Sequence, residues 1–394
     1  MPSDVSSRTK FFTESVIREM TRRAIKGGAV NLAQGFPDFA APQQLKEAAK
    51  RAIDEDYNQY AVTHGSPGFR AAIAEKARKY NQLDCDADLN ITVTCGATEA
   101  MIASLLAVIN PGDEVIIFEP FYENYGPDTI LAGATPKYVA LHDPDYSINP
   151  AELAAAFNPH TKAIIVNTPH NPTGKVFSRP ELEMVAELCR RYDTLAITDE
   201  IYEHIIFGEN RHVSLATLPG MAERTITISG LSKTYSVTGW RLAYAIACER
   251  LTSAIRKVHD FLTVGAPHPL QEAGKTALRL PPSFYTELAK MYERKGAILF
   301  EALDAAGLHC RAPQGAYYIM ADIGHLGFRD DFDAAEFLLN EVGIAAVPGS
   351  SFYHRRELGR HILRFTFSKS ETTLAAAAVR LNSFERKLRD RRTG

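Results

Sequence analysis

The stretch SGLSKTYSVTGWR, residues 229 to 241, sets one lysine, Lys233, among small and hydroxylated residues, with Gly239 and Arg241 close behind. An ordinary lysine is a solvated surface cation. This one follows the apolar run TITIS directly, in a loop whose hydroxyls and glycines make a polar, close-fitting cradle. A phosphate-binding P-loop needs glycine immediately before its lysine, and Ser232 stands there instead. In AGKT (273–276) Pro269 occupies the place of the first required glycine, the run reads as helix, and no GxGxxG occurs anywhere. The strong use that remains is a Schiff base, in which a partly desolvated amine condenses with the aldehyde of pyridoxal phosphate.

The elements that must position this lysine alternate along the chain. ITVT (91–94), EVIIF (114–118), AIIVN (163–167), LAITD (195–199), TITIS from Thr225 and RLAYAIA (241–247) have the continuous apolar character of strands covered on both faces. Between them lie helical patterns: TEAMIASLLAVI, ended by Asn110 to Gly112, and RPELEMVAELCRRY, opened by Ser178 with Pro180 in its first turn. This predicts an α/β fold with a mostly parallel sheet, whose ligand binds beyond the carboxyl ends of the strands. After about residue 270 a long charged helical pattern (SFYTELAKMYERKGAILFEALDAAG), a few short strands and a C-terminal helix predict a second, smaller domain.

Composition narrows the function further. The 394 residues are 45% apolar with net charge −3, enough for a large core and without the basic surface that nucleic acid or an anionic membrane requires. An apolar stretch from Ala100 to Ile109 is about half the ~20 residues of a membrane span, and MPSDVSSRTKFF lacks the apolar region of a signal peptide. A cytoplasmic protein that handles small molecules is the expectation. Five cysteines, odd in number and without CxxC spacing, predict neither disulfides nor a zinc site.

GLSKTYSVTGWRLA (230–243) resembles the pyridoxal-phosphate attachment signature of class I aminotransferases, which have the aspartate aminotransferase fold. The resemblance extends through NLAQGFPDF (31–39), NTPHNPTGKVF (167–177), PQGAYY (313–318), VPGSSFY (347–353) and LRFTFS (363–368). It is strongest to the subgroup of kynurenine, glutamine–phenylpyruvate and methionine aminotransferases. It implies a fold type I enzyme: a large domain (46–285) with a mostly parallel seven-stranded sheet covered by helices, a small α+β domain (286–394), and residues 1–45 as an N-terminal arm and part of the small domain.

It also implies a set of site residues. Lys233 carries the cofactor; Asp199, otherwise an ordinary strand-end cap or turn former, faces the pyridine nitrogen; and the hydroxyl of Tyr202 and the amide of Asn171 reach the phenolic oxygen. The phosphate falls to Gly96, Ala97 and Thr98 at a helix start, to Arg241, and to a serine. A capping box at Thr98 is the plainer and compatible account of that helix start. Where many relatives carry the phosphate serine, three residues before the lysine, this chain has Gly230, which leaves Ser229 and Ser232 as the candidate substitutes. Tyr122 stacks on the ring, while Phe121 and Tyr125 read as core. Gly35 and Arg364, an arginine inside the apolar run LRFTF, belong with Asn171 to the substrate pocket, and Tyr60 reaches the neighbouring subunit of a homodimer with shared sites.

The implied reaction moves an amino group from an L-amino acid to a 2-oxo acid, with a large neutral or aromatic side chain suggested by FYENY and FLTVGAPHPL. No second cation for an acidic side chain stands out; Arg256, Lys257 and Arg311 are the candidates. A carbon–sulfur β-lyase or another biosynthetic enzyme on the same scaffold is the alternative, because the pocket selects which bond the cofactor breaks. A transcription regulator with this module as its sensor would need a DNA-binding domain, for which the thirty or so residues before NLAQGF leave no room.

Overall fold

The computed structural model describes residues 6–393; the first five residues of the opening segment, and Gly394, lie outside it. The six expected strands and two further ones, Thr135–His142 and Ser147–Ile148, form one sheet in the spatial order Ile91–Thr94, Ala243–Ile246, Thr225–Gly230, Leu195–Asp199, Thr161–Asn167, Glu114–Glu119, Thr135–His142, Ser147–Ile148. The sheet therefore has eight strands, not seven. The eighth is a two-residue edge strand in the polar DPDYSIN segment, held antiparallel by Leu141↔Ile148 and His142↔Ser147, and two residues leave no readable periodicity. The central pairs are parallel, and their strands are buried almost without a break, as crossover helices on both faces require.

The helices begin and end for local reasons. Ser178 caps Arg179–Arg191 in a reciprocal capping box with Glu181, and Pro180 occupies the first turn. Ala97–Val108 departs from expectation: its N-cap is Gly96, at φ +88°, with no side-chain cap, so there is no capping box at Thr98. The acidic residue Glu99 instead accepts a bond from the backbone N–H of Cys95 and pairs with His259. The amides at this helix start are left for a ligand.

Beyond the main sheet, the long helix Pro282–Ala305 leads into a four-stranded antiparallel sheet ordered His309–Cys310, Tyr318–Asp322, Ile362–Thr366, Val347–Pro348. Two helices, Glu371–Leu381 and Phe384–Thr393, stand where one was expected. Val30–Asn31 pairs in parallel with Ile344–Ala345. Ile17, Met20 and Leu32 near the start of the chain share one buried cluster with Tyr317, Leu363, Phe365 and Leu381. All five cysteines are free thiols, and no described helix is long and apolar enough to cross a membrane.

Candidate active site

Three adjacent parallel strands end side by side, and their register sets the site. Asn167 is the direct cross-strand partner of Asp199, and Asp199 that of Ile228. The side chain of Asn167 joins these ends: Nδ2 donates to the Asp199 carbonyl at 2.8 Å, and Oδ1 accepts from the Asn171 N–H at 2.7 Å. Above them opens a cavity of about 430 Å³ lined by Gly35, Ala97, Thr98, Tyr122, Asn171, Asp199, Tyr202, Ser232, Lys233, Arg241 and Arg364, with Gly96 behind Arg241.

Lys233 is half-buried in the cavity lining and has no carboxylate within ion-pair distance among the described residues; its Nζ lies 5.9 Å from the centre of the Tyr202 ring. Burial pulls its ammonium down from 10.5 to about 8; Asp199 opposes the shift, and Arg241 and Arg364 add to it. Asp199 is a buried carboxyl pushed up by desolvation, and the bonds from Tyr125 and the Ile201 N–H pull it back. The Tyr125 hydroxyl donates to Asp199 Oδ2 at 2.8 Å, and Ile201 N–H to Oδ1 at 3.2 Å. Tyr125 is therefore a site residue rather than plain core. A hydrogen bond to a charged group contributes about 1.5–3 kcal/mol, so Tyr125→Phe should lower kcat roughly tenfold while leaving cofactor affinity nearly intact, checked by steady-state kinetics and a cofactor titration.

At the other end of the cavity, Arg364 is 1% exposed. Its Nη1 donates to Asn171 Oδ1 at 2.9 Å and its Nη2 to the Ala33 carbonyl at 2.7 Å, while Nε has no partner. The rings of Tyr318 and Phe352 lie 4.4 and 4.6 Å from the guanidinium. A buried cation without a carboxylate is costly unless a ligand supplies the anion. The bond from Arg364 occupies the Asn171 carbonyl oxygen, so this side chain offers its amide N–H donors to a ligand. Gly35 has no room for a side chain, since a Cβ there would stand 2.1 Å from the Tyr318 hydroxyl oxygen. That hydroxyl pairs with the one of Tyr202 at 3.0 Å.

The Arg241 end is equally tight. A Cβ on Gly96 would come within 2.3 Å of Arg241 Nη2, so glycine lets the guanidinium lie against the uncapped helix start. Gly230 sits in the strand with 2.7 Å between a hypothetical Cβ and the Ala243 Cβ, which leaves no place for a serine. Ser229 donates its hydroxyl to the buried Glu203, whereas Ser232 lines the cavity. An uncapped helix start beside an arginine, a half-buried lysine without an ion pair, a buried aspartate and an unpaired guanidinium Nε together fit a phosphorylated aldehyde cofactor and a carboxylate substrate. The profile of the family described as Aminotransferase class I and II matches residues 28–381.

The chain is a class I/II aminotransferase.

Like that family, the aminotransferase depends on pyridoxal 5′-phosphate and acts on amino acids and 2-oxo acids. It is 36% identical to a methionine aminotransferase of Escherichia coli over 93% of this chain and 95% of the other. It is also 36% identical to a kynurenine–oxoglutarate transaminase of Dictyostelium discoideum, over 94% of each chain. The structure superposes with a TM-score of 0.94 on N-succinyldiaminopimelate aminotransferase from Mycobacterium tuberculosis, at 37% identity, covering 97% of this chain and all of that one.

One expected residue lies elsewhere: Tyr60 is 84% exposed and outside the cavity of its own chain. Arg256, Lys257 and Arg311 also lie outside it, and Arg256 donates to the carbonyls of Asp88 and Ile91. The aminotransferase instead places Arg18 and Glu123 in the cavity lining, with Ser15 donating its hydroxyl to Glu123. Arg18 stands inside the local run FTESVIREM, which holds nothing distinctive. Asn167 and Tyr318, by contrast, stand inside NTPHNPTG and PQGAYY, and their roles depend on which strand end or ring lies opposite.

Proposed function

We propose that the aminotransferase works on large neutral L-amino acids, aromatic or thioether, by a ping-pong reaction with a 2-oxo acid. The observation that carries this is the cavity lining: Ile17, Met101, Ile201, Tyr122 and Tyr318 give it apolar and aromatic surface among its polar groups, and Arg18 shares the lining with Glu123, so the two charges offset. The names of the methionine and kynurenine relatives support the same class.

Pyridoxal 5′-phosphate, when bound, supplies the electron sink that makes the amino acid's Cα–H acidic. The protein groups do the rest. Arg364 and Asn171 bind the substrate carboxylate, with Gly35 allowing close approach. Lys233 Nζ, whose ammonium burial pulls down to about 8, would hold the cofactor aldehyde carbon at rest, take the Cα proton and return it as an acid. Asp199, backed by Tyr125, holds the proton on the ring nitrogen, and Tyr202 and Asn171 donate to the phenolic oxygen. Arg241, Ser232 and the amides of Gly96, Ala97 and Thr98 hold the phosphate, and Tyr122 covers the ring against water. Tyr60, exposed in one chain, completes the phosphate site of a second copy in a homodimer. Residues 46–285 form the large domain and 286–394, with the N-terminal segment to residue 45, the small one; free thiols suit a cytoplasmic setting.

The test adds single amino acids to the cofactor-loaded protein. Loss of the visible cofactor band with one equivalent of 2-oxo acid, for phenylalanine, kynurenine or methionine but not aspartate, supports the proposal. A preference for aspartate overturns the substrate class, and pyruvate plus ammonia from a cysteine conjugate would identify a β-lyase.

A further inference from the structure

Lys369 is 3% exposed, lies outside the cavity and forms no ion pair among the described residues. Its Nζ donates to the carbonyls of Gln34, at 3.1 Å, and Phe36, at 2.9 Å, and stands 4.0 Å from the centre of the Phe36 ring. Burial pulls this ammonium down to about 8, opposed by Asp38. A lysine kept in so costly a place has backbone carbonyls as its main partners.

Those carbonyls belong to the segment that carries Gly35. From Leu32 to Phe36 every carbonyl is taken by the C-terminal part of the chain: Leu32 by the Thr366 N–H at 2.9 Å, Ala33 by Arg364, Gln34 and Phe36 by Lys369, and Gly35 by the Tyr317 hydroxyl at 2.9 Å. Two residues on, Asp38 accepts from the Ser370 N–H and, at 2.6 Å, from the Thr373 hydroxyl. Most of these donors come from backbone or from hydroxyls. Lys369 alone holds two of the carbonyls, on either side of Gly35, and it lies five residues after Arg364 on the same segment.

We propose that Lys369 is a positioning residue for substrate-carboxylate binding, fixing the Gln34–Phe36 backbone so that Gly35 and the Ala33 carbonyl keep the cavity wall and Arg364 in register. The proposal rests on the assignment of Arg364 to the substrate carboxylate. Lys369 touches neither the cofactor groups nor the cavity, so its loss should act on substrate affinity and spare the phosphate and ring contacts.

The experiment compares Lys369→Met with Arg364→Met in the cofactor-loaded enzyme. It measures KM and kcat for an amino acid and a 2-oxo acid, the dissociation constant of 3-phenylpropionate as a plain monocarboxylate probe, and cofactor affinity. For Lys369→Met, KM and the probe constant should rise about tenfold, with kcat within about threefold and cofactor affinity unchanged; in an Arg364→Met background the same change should add less than about twofold, as coupled residues do. An Arg364→Met variant that leaves KM and the probe constant unchanged removes the premise, and the proposal falls with it. If Arg364→Met raises both while Lys369→Met raises neither, the proposal alone is wrong. Equal losses in KM, kcat and cofactor affinity would mean general loosening and also overturn it. Should Lys369→Met fail to fold, Lys369→Gln, which keeps an N–H donor, is judged by the same criteria with a smaller expected rise.

Discussion

Lys233→Ala is expected to abolish turnover and remove the visible absorption of lysine-bound cofactor, while cofactor still binds through its phosphate. The loss should be total within detection, because in the proposed reaction the same amine anchors the cofactor and moves the proton; general acid–base catalysis by one group is itself worth about 10²–10⁴-fold. A spectrum and an amino-acid assay on the purified variant decide it, and retained turnover would refute the assignment. The wild-type amine makes a related prediction. Burial lowers Lys233 to about 8, so the ammonium dominates below that pH and the reactive free amine above it. Cofactor capture by cofactor-free protein should speed up about fivefold between pH 7 and 8 and level off above about pH 9. A lysine at its ordinary 10.5 would show a rise continuing through pH 9 and 10.

Arg364→Ala should raise KM for amino acids about 100-fold, or about 2.8 kcal/mol, within the roughly 2–5 kcal/mol cost of truncating one partner of a buried charge pair. The bound cofactor should remain visible, because the change leaves Lys233, Arg241 and the amides of Gly96, Ala97 and Thr98 in place. The change also strips Asn171 Oδ1 and the Ala33 carbonyl of their donors. Arg364→Lys should recover little, since an ammonium cannot reproduce a planar fork that serves Asn171, Ala33 and a carboxylate at once. Steady-state kinetics with phenylalanine and a cofactor spectrum separate this outcome from misfolding, in which both signals would be lost.

The attachment loop shows how much of the site was legible. Lys233, Arg241 and Ser232 lie within ten residues of one another, so a local stretch displayed them together, and Asp199 was marked by its place at the end of an apolar run. Tyr125 looked like core because its neighbours Phe121 and Tyr122 are aromatic and its burial is real; only the packing of its helix turns the hydroxyl toward Asp199. The capping-box account of Thr98 failed because Gly96 is the N-cap, which puts Thr98 inside the helix, while Glu99 bonds the Cys95 N–H and His259, the latter 160 residues distant. The edge strand Ser147–Ile148 escaped notice because two residues carry no period.

By itself the sequence determined the alternation of strand and helix and displayed the loop that carries Lys233, since hydrophobic period and loop composition are local properties. Tertiary structure decided what depends on distance. It set the Asn167–Asp199 register, placed Arg364 and Lys369 against the Leu32–Phe36 carbonyls from more than 300 residues away, and closed Gly230 to a serine by the approach of Ala243. Each of these is a steric or hydrogen-bond relation between segments far apart in the chain, and such relations exist only once the strands have chosen their neighbours.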